Sequence, residues 1–324
     1  MSARATLAAL LPEGVKRWAR ALPQWCPIGL AVPQDVAEIR MTSAGREVDV
    51  TRNAVVAALR PLTLAVGLDE QTMSIVRDSA APRLVFLDLV SRRTVGMLQL
   101  RHVASWDTQV WNLGLFEVSR AEQRCLRWPY RSWNSWLQNR AIRKSNKPGN
   151  FWMPPEAVQQ LMIFYICPRQ VVLVSVEDGE HSNLFPMDLI GPVSSGHFTL
   201  ALRSTSQSVA AMQRARRAAL SDIAASERAI AYQLGAHHKN VKVDWDRLPF
   251  AIQRSRIFSL PCPLIALRVR EVEILESRSI GSHTFFVTRL VSEHAFADAV
   301  RLCHTSGIYQ YFRARHGHPL QRAG

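Results

Sequence analysis

Apolar and polar residues alternate in short runs along most of the chain, a period of two that predicts strands more often than helices. In the N-terminal half the runs are Leu62 to Leu68, Thr72 to Arg77, Arg83 to Val90, Thr94 to Arg101 and Val110 to Val118. Asp69-Glu70, Ser79 to Pro82, Ser91-Arg92 and Ser105 to Thr108 separate them as turns, so this half predicts a β-meander. Two helical patterns flank it. Leu7, Leu10, Leu11, Val15 and Trp18 share a face between Ala5 and Leu22, with a break marked by Pro12 and Gly14. Between Arg124 and Arg140, Trp133 and Trp136 lie three apart on one helical face, a spacing that favours capping a β-core over stacking nucleobases.

The stretch RKSNKPGN, Arg143 to Asn150, gathers charge, Asn, Pro and Gly between two periodic regions. It predicts a division into residues 1–147, a β-rich domain of unknown role, and residues 148–324. Beyond it, Pro154-Pro155 opens a helix with Val158, Leu161, Met162 and Tyr165 on one face. The β-branched run Val171 to Val176 predicts a buried strand, turned by Glu177-Asp178-Gly179. Phe198 to Leu202 predicts a strand, Ser208 to Leu220 a helix, and Leu264 to Glu276 and His283 to Ser292 two long strands. The expected class is therefore mainly β with α, an α+β fold. A short likeness between RPLTLAVGLDE at Arg60 and PRQVVLVSVED at Pro168 is compatible with a duplicated barrel, although one strand and a turn do not establish it.

At 324 residues, 48% apolar and 20% charged, the chain has the balance of a folded protein with room for two cores. No apolar run approaches the roughly 20 residues of a membrane span, and Pro12, Glu13 and Lys16 interrupt the start too early for a secretory segment. A cytoplasmic location is the expectation. Five cysteines, widely spaced and odd in number, suggest neither a disulfide framework nor a metal site. The net charge of +14 attracts polyanions, yet no nucleic-acid motif accompanies it, so nucleic-acid binding is disfavoured.

Candidate chemistry concentrates in two separated segments. Arg203-Ser204-Thr205-Ser206-Gln207-Ser208 stands between a predicted strand and a predicted helix, where hydroxyls, backbone N–H groups and the helix end converge on an anion. Plain capping by Ser206 or Ser208 is the competing reading. Gly281-Ser282-His283-Thr284 forms the second, a turn entering a strand. No GxGxxG, GxSxG, HExxH or P-loop is present.

These segments, with Asn183 and the run Phe185-Pro186-Met187-Asp188-Leu189-Ile190, resemble the flavin reductase-like family from near Phe151 to the end. The resemblance implies an FMN-binding split β-barrel. By it, Asn183, Met187, Asp188 and Leu189 border the flavin ring, and Arg203, Ser204, Thr205, Ser206 and Ser208 hold the phosphate. His283 becomes the catalytic candidate that positions NAD(P)H. His238, and the segment from His304 to Tyr309, are further contacts. Two departures stand out: Ser282 replaces the family's commoner acid, and Gly196-His197 replaces a Pro-Pro step.

The activity so implied is NAD(P)H-dependent reduction of FMN, with FAD as a possible flavin, in a homodimer that supplies a monooxygenase partner. Two alternatives stand beside it: FMN as a fixed prosthetic group acting on an organic substrate, and a non-catalytic flavin- or polyanion-binding module.

Overall fold

A computed structural model describes residues 21–79, 81–107, 112–144 and 153–323. Most of the helix expected between Ala5 and Leu22, and the boundary expected at residue 147, lie outside the described residues. The N-terminal half builds one seven-stranded antiparallel sheet from β2 (Ala37–Ser43), β3 (Arg46–Asp49), β4 (Ala54–Leu59), β5 (Leu62–Leu68), β6 (Arg83–Asp88), β7 (Thr94–Asp107) and β8 (Asn112–Gln123). A second is built from β10 (Val172–Glu177), β11 (Ser182–Met187), β12 (Ile190–Ser194), β13 (His197–Arg203), β14 (Arg217–Asp222), β17 (Arg268–Ile280) and β18 (His283–Ala295). β1 (Trp25–Leu30), β19 (Arg301–Ser306) and β9 (Arg169–Gln170) form a three-stranded sheet, and β15 (Ile252–Arg254) pairs with β16 (Pro261–Pro263). The fold is mainly β with some helix.

Numbered within its own half, each seven-stranded sheet runs 2-1-5-6-7-4-3. A helix follows the fourth strand in both: α1 (Glu70–Asp78) after β5 and α4 (Ser208–Ala215) after β13. The protein therefore carries one strand order twice. The likeness noted between Arg60 and Pro168 is not its trace, because it matches the fourth strand of one copy, β5, to the first of the other, β10.

The copies differ most in one connection. Only five residues separate β6 from β7, whereas residues 223–267 separate β14 from β17 and hold α5 (Arg228–Leu234), β15 and β16. Helices α2 (Tyr130–Lys144) and α3 (Pro155–Phe164) follow the first sheet, and α6 (Gly307–Arg315) follows β19.

Each sheet curls around its own apolar filling. Leu64, Val66, Phe86 and Phe116 pack with Ile163 and Phe164 of α3 and with Tyr309 and Phe312 of α6. Val174, Phe185, Leu200, Leu220 and Phe286 pack beneath Met212 of α4. A third cluster joins the sheets, with Val55, Ala65, Leu113 and Leu115 of the first meeting Val193, Ala201, Phe285 and Val287 of the second. Contact is close enough that Gly67 on β5 faces the backbone of Val193 on β12.

Two expectations are corrected. Thr72 to Arg77 lies in α1, not a strand: Asp69 accepts from the Thr72 N–H at 2.7 Å, and that N-cap outweighs the β-branched content. The helix expected from Ser208 to Leu220 stops at Ala215, because Arg216 turns left-handed at φ 51° and Arg217 starts β14. All five cysteines are free and buried. No described helix is long and apolar enough to cross a membrane.

Candidate functional site

A cavity of about 800 Å³ opens among the second sheet, the 223–267 insert, β19 and elements of the N-terminal half. At the end of β13, the Ser206 N–H donates to the Arg203 carbonyl at 2.8 Å and closes a turn into α4. Arg203, Thr205, Ser206 and Gln207 line the cavity from this turn. The Ser206 hydroxyl is buried and has no hydrogen-bond partner among the described residues, so it lacks the acceptor or donor that a structural serine would have found. Ser204 and Ser208 lie outside the lining. Ser204 accepts from the Thr284 hydroxyl at 3.3 Å and ties the turn to β18. Ser208 is fully buried, where its hydroxyl meets His181 and Asn183, both at 3.2 Å.

His283 enters the same cavity from the first position of β18, opposite Arg203 in the ladder. Its turn needs a glycine. Gly281 sits at φ 51°, and a Cβ there would stand 2.2 Å from the Arg60 carbonyl oxygen. That carbonyl accepts from the Ser282 N–H at 3.0 Å, while the Ser282 hydroxyl accepts from the Arg60 N–H at 3.1 Å and lies 2.8 Å from His283 Nδ1. The N-terminal half thus holds the turn, and Ser282 couples it to the His283 ring.

Burial, and secondarily the Arg203 charge, pull the His283 pKa down to about 4, so the ring is neutral at pH 7. An unfolded histidine titrates near 6.5; the unfolded chain therefore takes up the proton first, and stability falls as pH drops from about 6.5 towards 4. His283→Asn is expected to shrink the stability difference between pH 7 and pH 4.5 by roughly 2 kcal/mol, as read by urea unfolding at the two pH values.

The end of β11 and its connection to β12 contribute Pro186, Met187, Asp188 and Leu189 to the cavity. His238 of the insert donates from Nε2 to the Pro186 carbonyl at 3.0 Å and packs on Phe185 with ring centres 4.9 Å apart. Burial lowers its pKa even against that hydrogen bond, leaving a neutral ring. Asn183 does not reach the cavity. Fully buried, its amide donates to the carbonyls of His237 and Asn240, both at 2.9 Å, and so fastens the insert to β11.

Opposite stand residues remote in sequence: Trp25 of β1, Leu59 of β4, Leu161 of α3, Tyr165 and His304. His304 Nδ1 meets Asp188 Oδ2 at 2.7 Å, and its Nε2 lies 3.0 Å from the Tyr232 hydroxyl. Burial raises the Asp188 pKa, but hydrogen bonds from His304 and Tyr165 and the His304 charge outweigh it, and the carboxyl ends below its ordinary value. The result is a carboxylate–imidazole–phenol chain running from the interior to the half-exposed Tyr232, with Trp25 stacked beside the imidazole at 6.5 Å. Among the described residues, no group of three His, Cys, Asp or Glu is placed to hold a metal ion.

The turn at Arg203, the 186–189 connection, the His283 turn and His304 of β19 converge on one cavity in the second half of the chain. Residues 164–313 match the family described as flavin reductase like domain. No curated protein matches the chain. Solved structures with similar folds include an FMN-binding protein from Thermus thermophilus, 23% identical over 40% of this chain and 72% of that one, with a TM-score of 0.36. An NADH:FAD oxidoreductase of Streptomyces globisporus is 19% identical over 50% of this chain and 95% of that one, TM-score 0.42. The styrene monooxygenase flavin reductase of Pseudomonas putida is 16% identical over 42% and 87%, TM-score 0.35.

Of the residues singled out in sequence, Met187, Asp188, Leu189, Arg203, Thr205, Ser206 and His283 line this cavity, while Asn183, Ser204 and Ser208 brace it from outside. Sequence reasoning gave no functional role to Trp25, Leu59, Tyr165 or Tyr232. Tyr165 read as part of an apolar helix face, and nothing local in sequence marks Trp25 or Tyr232.

Proposed function

We propose that the chain is an FMN-dependent oxidoreductase that takes hydride from NAD(P)H. The observation that carries this reading is the unpartnered Ser206 hydroxyl beside Arg203 and Thr205 at the start of α4, in a cavity whose other walls include the apolar Met187, Leu189, Ala201, Leu161 and Trp25. A flavin asks for that pairing, an anion site at one end and an apolar slot for a planar ring at the other. Arg203, Thr205, Ser206 and Lys239 would meet the phosphate, and the 186–189 connection would border the ring. Bound flavin supplies the hydride acceptor that no side chain offers. His283, neutral and held by Ser282, would orient the nicotinamide by a hydrogen bond from its ring and would add no charge.

The test is an FMN titration followed spectroscopically, then anaerobic NADH or NADPH. Expected are retention of a yellow chromophore and its bleaching by one nucleotide. Arg203→Ala is expected to raise the FMN dissociation constant by about 10- to 100-fold, because a charge-assisted hydrogen bond contributes roughly 1.5–3 kcal/mol. An unchanged affinity would move the phosphate elsewhere. Salt-sensitive nucleic-acid binding without nucleotide oxidation would favour a binding module instead.

A second reading, FMN as a fixed prosthetic group acting on an organic substrate, draws support from the Asp188–His304–Tyr232 chain. Hydride transfer between nicotinamide and flavin needs aligned rings and no acid. Reduction of a polarised double bond needs a proton, which a chain of this kind would relay, with Asp188 orienting the His304 ring. Added free FMN raises turnover only in the reductase reading, where flavin leaves, and serves a monooxygenase partner.

The resemblance implies a homodimer, with the site between subunits. In the present reading Trp25, Leu59, Leu161 and Tyr165 of the same chain complete the cavity, so sedimentation is expected to show flavin bound to a single chain.

A further inference from the structure

A second cleft, of about 440 Å³, lies at the other end of the same strands. β13 runs from Phe198 in this cleft to Arg203 in the first cavity, and β18 runs back from His283 to Glu293. The two sites share no lining residue.

Five arginines line it: Arg52 before β4, Arg169 on β9, Arg268 and Arg270 on β17, and Arg301 on β19. Two carboxylates answer them. Glu293 accepts from Arg268 at 2.9 Å and Arg270 at 2.7 Å, and buried Asp222 accepts from Arg270 at 2.7 Å with Arg301 at 3.8 Å. Among the described residues neither Arg52 nor Arg169 pairs with an acid, so the cleft keeps an excess of positive charge.

Arg169 is the more telling of the two. It is 9% exposed, its ring-like guanidinium lies 4.1 Å over Phe164, and its Nη1 donates to the Ala54 carbonyl at 2.7 Å. Its Nε–H and Nη2–H point along the other edge of the group, and neither has a partner among the described residues. The neighbouring Gln170 amide nitrogen, also in this cleft, is unpartnered too. A buried donor left unmade costs about 1–3 kcal/mol. Three such donors on adjacent residues, one pair with the fork spacing that matches two oxygens of a phosphate, are the signature of a site built for an anion.

We propose that this cleft binds a small phosphate-bearing anion, held by the Arg169 edge and Gln170 and neutralised from the rim by Arg52, Arg268 and Arg301. Phe198 and the proline-lined wall beside it leave an apolar surface against which the organic part of such a molecule rests. A cleft of about 440 Å³ suits a metabolite-sized ligand.

Calorimetric titration of inorganic pyrophosphate into the full chain carrying Arg203→Ala and Lys239→Ala, which together remove the Arg and Lys charges lining the first cavity, tests this. One saturable site per chain is expected. Adding Arg52→Ser, an exposed change, is expected to weaken binding by at least about fivefold, and Arg169→Gln by at least about tenfold. Arg46→Ser, on exposed β3, serves as the control and is expected to leave affinity unchanged. Should Arg169→Gln fail to fold, Arg52→Ser decides. Absence of a saturable site, or an equal loss from Arg46→Ser and Arg52→Ser, overturns the proposal, the latter by showing attraction to the overall charge alone.

Discussion

Gly67→Ala is expected to destabilise the protein by about 3 kcal/mol or more, the upper range of overpacking costs. A Cβ at this position would stand 1.7 Å from the Val193 carbonyl oxygen and 2.7 Å from its carbonyl carbon. Side chains give way by changing rotamer, but Val193 belongs to β12, whose backbone is held by β13 and packed against β4. Relief therefore requires the two sheets to separate, exposing the cluster of Val55, Ala65, Leu115, Ala201 and Phe285 to water. Urea unfolding followed by far-UV circular dichroism reads the effect. Gly235→Ala is the matched control, since a Cβ there meets nothing within 4 Å, and it is expected to fall within about 0.5 kcal/mol of the parent. A Gly67→Ala midpoint equal to the parent's would mean that the sheets do not touch at this point.

The second large effect is expected at Asp88, on β6 of the first sheet, far in sequence from its partners on α6. Its Oδ1 accepts from the Tyr309 hydroxyl at 2.6 Å and from Arg313 Nη1 at 3.0 Å, and its Oδ2 from the Ser91 N–H at 2.7 Å. Asp88 and Tyr309 are fully buried and Arg313 is 6% exposed. Burial raises the Asp88 pKa, but these bonds and the Arg313 charge outweigh it, and the group stays ionised below its ordinary range. Asp88→Ala leaves a buried guanidinium without its counter-charge, which costs about 3–5 kcal/mol. Asp88→Asn keeps an acceptor and is expected to lose less. Since the bond joins the last helix to the first sheet, both halves are expected to unfold in one transition, and a loss confined to one half would refute the coupling.

How much of this was readable beforehand divides along a physical line. The His283 turn and the Arg203–Ser208 junction stand out in sequence because their chemistry is local: a glycine at positive φ and a strand ending in hydroxyls. Their meeting is also foreseeable once the resemblance assigns both to one flavin. The far wall is different. Trp25, Leu59 and Tyr165 reach the cavity only because the first sheet and α3 pack where they do, and no periodicity encodes that. The helix at Glu70 was misread from Ile75 and Val76, whose β-branched side chains outvoted Asp69, a single capping residue. Repetition of the strand order was hidden for a further reason: the copies preserve pairing and not residue identity, so the one likeness visible in sequence joined strands that are not counterparts.

The doubled strand order has a consequence for how the molecule behaves in dilute solution. Two separate subunits fall apart below their dissociation constant, and any change in one face appears in both. Here the faces are covalently joined, so lowering the protein concentration cannot empty the site by parting its walls.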